Sequence, residues 1–232
     1  MSEKFEKFSQ YYSADNRKFV FLTKKEIDRL MFCARSNYTK FMFKRYENVL
    51  ITDPWFYFSS HIDRKKEFSL IGFYRDCIFD YNGPLEFPKI EGIEEKRLSK
   101  ERYVIISPYA GSMNPIEEKS WISIISELNK RNYSVYCNVT PEQQPIDGSI
   151  PLTCSLEDLY NYCKNAEMFI GLRSGVMDFI ISSGITIIAI YNGKYQNLYS
   201  LKAWEQNNKI VEINYSKPDA LMSSFVEALN EC

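Results

Sequence analysis

Hydrophobic positions change their rhythm near residue 100. Beyond it, short runs of β-branched and aromatic residues alternate with stretches whose apolar side chains recur at helical spacing. Tyr103-Val104-Ile105-Ile106-Ser107 ends in a Pro/Gly loop, and Trp121, Ile124, Ile125 and Leu128 follow at intervals of one helical turn. That is one βα unit, and it repeats. Strands are expected at 134–139, 167–171, 186–191 and 209–213, and helices at 175–183, 195–204 and 218–229. A further helix opens at Ser155, where a capping serine is followed three residues on by Asp158. Short apolar strands alternating with helices imply a parallel sheet covered on both faces, a doubly wound α/β domain.

Before residue 100 the pattern is broken by Asp53-Pro54, Asn82-Gly83-Pro84 and Phe87-Pro88. Strands at 18–22 and 48–52 and a helix at 24–35 suggest a smaller, incomplete α/β part over 1–95. The charged segment 88–100 then links it to a main domain over 101–232. An aromatic run, Trp55-Phe56-Tyr57-Phe58, is either core or a contact for a membrane surface or a partner protein.

Composition narrows the function classes. Twenty-nine basic and 30 acidic residues leave a net charge of -1, which gives no field for binding a phosphate polymer, so nucleic acid is not the expected partner. A hydrophobic share of 45% excludes disorder as the general state. No window approaches the roughly 20 apolar residues of a membrane span, and the start Met1-Ser2-Glu3-Lys4-Phe5 lacks an apolar run, so a cytoplasmic location is expected. Cysteines 33, 77, 137, 154, 163 and 232 show no CxxC spacing and read as free thiols. His61 is the single histidine, which excludes a multi-histidine metal centre; neither metal nor cofactor is expected.

In doubly wound sheets ligands bind beyond the carboxyl ends of the strands, so the chemistry is sought in the loops there. The first holds Ser107-Pro108-Tyr109-Ala110-Gly111-Ser112-Met113-Asn114, whose small residues let backbone approach a ligand or simply satisfy a turn. A second is Gly171-Leu172-Arg173-Ser174-Gly175-Val176-Met177-Asp178. Arg173 at a strand end, beside the amides of Ser174 and Gly175, suits an anion such as a diphosphate. Asp178, one turn into the helix, either orients a sugar hydroxyl or neutralises the helix N-terminus. No GxGxxG follows any strand and no P-loop is present, which disfavours a dinucleotide oxidoreductase.

Together with Lys119-Ser120-Trp121 and Ser155-Leu156, these segments resemble the C-terminal, donor-binding half of GT-B glycosyltransferases, in particular the heptosyltransferase-like family 9 of lipopolysaccharide and capsule assembly. The likeness covers residues 106–193, somewhat under half of the chain. It implies a glycosyltransferase that moves a sugar from a nucleotide-diphosphate donor to a glycan or lipid-linked surface-polysaccharide acceptor. By matching position it implies donor contacts at Gly111, Ser112, Lys119, Glu142, Arg173, Ser174, Gly175 and Asp178. Arg173 stands where the family usually has aspartate, and Asp178 where it has histidine, so a donor other than a nucleotide heptose is open.

An inverting transferase needs a base beside the acceptor hydroxyl. Asp53, Asp63, Asp76, Asp80 and His61 lie in the first part, none in a motif, and Asp178 is a further candidate; the base is left unassigned. The competing expectation is a binding module: a nucleotide-sugar-binding subunit of a split enzyme that needs a partner chain.

Overall fold

The chain divides into two compact units, residues 1–83 with 88–92 and residues 84–87 with 93–232. The computed structural model describes residues 96–111, 113–192, 199–201 and 209–231, all within the second unit. The expectations for 1–95, among them the strands at 18–22 and 48–52, the aromatic run and the candidate bases, lie outside the described residues. So do Ser112 and most of the helix expected at 195–204.

Six parallel strands form one sheet: β1 (Tyr103–Ser107), β2 (Ser134–Asn138), β3 (Ile150–Leu152), β4 (Met168–Leu172), β5 (Thr186–Tyr191) and β6 (Ile210–Asn214). Their order is β3-β2-β1-β4-β5-β6. The helices are α1 (Glu118–Lys130), α2 (Leu156–Asn165), α3 (Gly175–Ile180) and α4 (Pro218–Glu231). A 3-10 turn, Ile181–Ser183, extends α3 and stops at Gly184, whose φ of 82° lies in the left-handed region glycine occupies without strain.

Both faces of the sheet are covered, which is why β1 and β4 are buried throughout and, the hydroxyls of Tyr103 and Ser107 apart, apolar. On one face Val104, Ile106, Val135, Ile170, Ile188 and Ile190 meet Trp121, Ile124 and Leu128 of α1 and Leu221 and Phe225 of α4. On the other, Tyr103 packs edge-on against Tyr136 and donates to the carbonyl of Tyr162 in α2. Tyr160 of α2 lies against Phe179 of α3, with 5.5 Å between ring centroids. Burying a side chain of this size contributes about 1.5–3 kcal/mol, so the two-sided core dominates over the propensity of any one helix.

β3 escapes the sequence reading, because Ile150-Pro151-Leu152 is three residues with a proline inside. The sheet accepts it at an edge: among the described residues β3 pairs only with β2, and a residue lacking an N–H costs nothing on the side away from β2. Ser155 caps α2 as expected, its hydroxyl accepting from the amide of Asp158.

Candidate functional site

The strand order reverses between β1 and β4. From β1 the chain crosses through α1 to β2 on one side, and from β4 through α3 to β5 on the other, so the two loops diverge at the carboxyl edge. This is the topological switch point at which doubly wound sheets bind ligands. Ser107 and Gly171 pair there. A Cβ on Gly171 would stand 2.7 Å from the Ser107 carbonyl oxygen and 3.1 Å from its Cβ, so close packing of β1 and β4 demands this glycine.

The loop after β1 is held from both sides. The Tyr109 hydroxyl donates to the carbonyl of Gln144 at 2.7 Å, and Asn192, just past β5, donates to the carbonyls of Asn114 (3.2 Å) and Pro115 (3.0 Å). Gly111 lies between these ties, exposed, and a Cβ added to it meets nothing within 4 Å. Gly175, across the switch point at the start of α3, is likewise exposed with open space at its Cβ position. Internal packing accounts for Gly171 and leaves Gly111 and Gly175 without a structural demand.

Arg173 is buried at the end of β4, 7% exposed. Its Nε donates to the carbonyl of Tyr199 at 2.8 Å and its Nη1 to the carbonyl of Ser174 at 2.6 Å. Nη1 and Nη2 reach the two carboxylate oxygens of Asp178 at 2.9 and 2.6 Å. The sequence leaves the guanidinium in need of an anion; the fold supplies one from its own chain. Asp178 is thus the partner of Arg173, and the N-terminal cap of α3 is Ser174. Asp178 keeps a side-chain exposure of 48%, so its carboxylate faces solvent as well as the arginine. The Ser174 hydroxyl is buried beside them and has no hydrogen-bond partner among the described residues. Arg173, Ser174, Gly175 and Asp178 therefore form one cluster.

Among the described residues, neither Lys119 nor Glu142 is hydrogen-bonded or ion-paired to that cluster. Lys119 is exposed in the first turn of α1 and pairs with Glu117 at 2.6 Å, which raises its pKa chiefly through that hydrogen bond. Glu142 is exposed in the turn after β2, where the amide of Gln143 donates to the carbonyl of Thr140.

Tyr191 and Glu212 belong to the same end of the sheet and were not among the expected site residues. The Tyr191 hydroxyl donates to Glu212 at 2.6 Å and lies 3.1 Å from the Tyr199 carbonyl that also receives Arg173. Burial, then the Glu212 hydrogen bond, push the phenol well above its ordinary pKa, so it stays a donor. The signal that could have found them is local: a carboxylate inside the apolar run Ile210-Val211-Glu212-Ile213 requires polar partners.

Cys137 and Cys163 are buried thiols and Cys154 is half-buried, each free. Among the described residues no group of three or more His, Cys, Asp or Glu could hold a metal ion, and no helix is long and apolar enough to cross a membrane.

No protein-family model matches the chain, and neither does any curated protein sequence. Solved structures do. TibC, a dodecameric iron-containing heptosyltransferase crystallised with ADP-D-β-D-heptose, is 17% identical, with a TM-score of 0.51 over 73% of this chain and 55% of TibC. The Escherichia coli ADP-heptose lipopolysaccharide heptosyltransferase II is 14% identical, with a TM-score of 0.48 over 66% of this chain and 57% of that one. A family 9 glycosyl transferase from Veillonella parvula is 13% identical, with a TM-score of 0.43 over 56% and 47%. The chain thus spans about half the length of these proteins. With its all-parallel sheet and helices on both faces, it has a Rossmann-like α/β fold of the GT-B, heptosyltransferase-like kind.

Proposed function

We propose that the chain is a glycosyltransferase whose segment 101–232 binds a nucleotide-diphosphate sugar, for transfer to a surface-polysaccharide acceptor of the lipopolysaccharide or capsule class. The observation that carries this reading is the pair Gly111 and Gly175, exposed on either side of the switch point with nothing among the described residues requiring a glycine at either place. The likeness to a heptosyltransferase fold supports the same chemistry.

In this reading the missing side chains let backbone amides approach the diphosphate, and the buried, unpaired hydroxyl of Ser174 takes part in the same cradle. Ser112 belongs to it by sequence. Lys119 supplies the cation: its pair with Glu117 is exposed, hence weakly held and easily exchanged for phosphate. Glu142 meets the ribose, and Asp178 the sugar. Arg173 serves as the support of Asp178, because its donors face carbonyls and that carboxylate. Donors aimed at the diphosphate stabilise the charge that develops on it as the bond from the sugar's anomeric carbon to the phosphate oxygen breaks and the acceptor oxygen bonds to that carbon.

The test is a melting series on the full chain with ADP, UDP and GDP and with ADP-D-β-D-heptose, UDP-glucose and GDP-mannose. A ligand at about a hundred times its Kd adds about 2.7 kcal/mol, roughly 5–10 °C for a domain of this size. At least one nucleotide is expected to do so and to show saturable binding by calorimetry. If none binds, the reading fails.

A further inference from the structure

Glu212 stands in β6 opposite Ala189 of β5. It accepts from Tyr191 Oη and from the Leu201 amide on Oε1, both at 2.6 Å, and from Ser200 Oγ on Oε2 at 2.9 Å. Leu201 is fully buried, so the segment 199–201 is pinned by both its backbone and its side chain. That pinning places the Tyr199 carbonyl where it receives Arg173 Nε.

An arginine side chain has several soft torsions, and a guanidinium gripped on its Nε edge loses most of them; the opposite edge then points in one direction. In Arg173 that opposite edge holds both oxygens of Asp178. The contacts run without a break from Glu212 through the Tyr199 carbonyl and Arg173 to a half-exposed carboxylate beside Ser174 and Gly175.

We propose that Glu212 is a positioning residue of the donor site: by fixing the Tyr199 carbonyl it sets the Arg173 fork, and through that fork the orientation in which Asp178 meets the donor's sugar. The proposal rests on the donor-binding reading above. It predicts an effect larger on the sugar than on the diphosphate, since Glu212 is hydrogen-bonded to Tyr191, Ser200 and Leu201 and not to the loop of Gly111 or to Lys119.

The experiment uses the full chain and the nucleotide that binds it most tightly in the series above, alone and as its sugar conjugate, by calorimetry. Glu212→Ala is expected to weaken the sugar conjugate about tenfold and the plain diphosphate less than about twofold, the loss of one oriented charged hydrogen bond. Glu212→Gln restores the conjugate, because its carbonyl accepts from Tyr191 and Leu201 while the Ser200 hydroxyl turns to accept from its amide. Asp178→Ala loses about tenfold, and the double variant Glu212→Ala with Asp178→Ala loses no more, since the two act in series. Equal losses for both ligands, or additive losses in the double variant, overturn the proposal while leaving donor binding intact. Where Glu212→Ala does not fold, Tyr191→Phe carries the test, removing one hydroxyl: a selective loss of about threefold supports the proposal and no selectivity overturns it. If the wild-type chain binds no nucleotide, the functional reading fails first and this proposal with it.

Discussion

Arg173 grips both carboxylate oxygens of Asp178 from five residues away, with Nη1–Oδ2 at 2.9 Å and Nη2–Oδ1 at 2.6 Å. The pair is asymmetric: the arginine is buried and the aspartate half-exposed. Breaking a wholly buried pair costs about 3–5 kcal/mol, but solvent at Asp178 screens this one. A cycle of Arg173→Met and Asp178→Asn, unfolded in urea, should give a coupling of about 1–2 kcal/mol. Asp178→Asn is expected to cost at least as much as Arg173→Met, because it strands a buried charge. A coupling within error of zero would show that the fork adds nothing to the fold.

Three glycines should behave in two ways. Gly171→Ala drives a Cβ into the Ser107 backbone and should destabilise by about 1–3 kcal/mol. Gly111→Ala and Gly175→Ala meet open space; they should leave the melting temperature unchanged, or raise stability by up to about 1 kcal/mol through the unfolded chain. Both should still weaken nucleotide-diphosphate binding. Full affinity in both variants, with the fold intact, would remove the two loops from the donor site.

The acid limb of stability should carry the signature of Asp158. Its pKa is lowered first by the hydrogen bond from Lys96, and also by that from Ser155. A carboxylate depressed on folding adds stability above its unfolded pKa, about 3.9, and loses it as the pH falls through the lower folded value. The difference in urea midpoint between the wild type and Asp158→Asn should therefore shrink between pH 6 and pH 2. A constant difference would mean that the charge contributes nothing. Ser155→Ala, which removes the cap, should cost about 1 kcal/mol at pH 6 and less at pH 2, because the Ser155 hydroxyl also donates to the Asp158 carboxylate and that part is lost on protonation.

Cys154 is pushed up to about 11, first by burial and then by the nearby Asp158 carboxylate. Thiolate is the reacting form, so alkylation at pH 8 by iodoacetamide should be much slower than for a peptide thiol and should climb steeply towards pH 10. Cys137 and Cys163, whose pKa values burial also raises, should be slower still. Peptide mapping by mass spectrometry checks each site. Labelling of Cys154 at the peptide rate would contradict the packing around α2.

The repeating strands and helices were legible because each is written in a local pattern. Ile105, Ile187 and Phe169 stand in continuous apolar runs, and Trp121, Ile124 and Leu128 return once per turn, which only a two-sided sheet with helices can satisfy. β3 was not, since a three-residue edge strand with Pro151 is defined by its neighbour rather than by its own residues. The capping pair Ser155 and Asp158 was legible for the opposite reason: both partners lie within one turn.

By itself, then, the sequence determined a doubly wound domain and placed Gly111, Arg173, Ser174, Gly175 and Asp178 just beyond the carboxyl ends of strands, the last two at the start of a helix. Tertiary structure alone decided the strand order, and with it the position of the switch point between β1 and β4. It also decided what Arg173 holds. Hydrophobic period is a short-range property, readable along the chain; a guanidinium's partners depend on which carbonyls and carboxylates arrive from elsewhere. Here they came from Tyr199, 26 residues on, and from Asp178, one turn into α3, leaving the buried arginine as a support for a carboxylate.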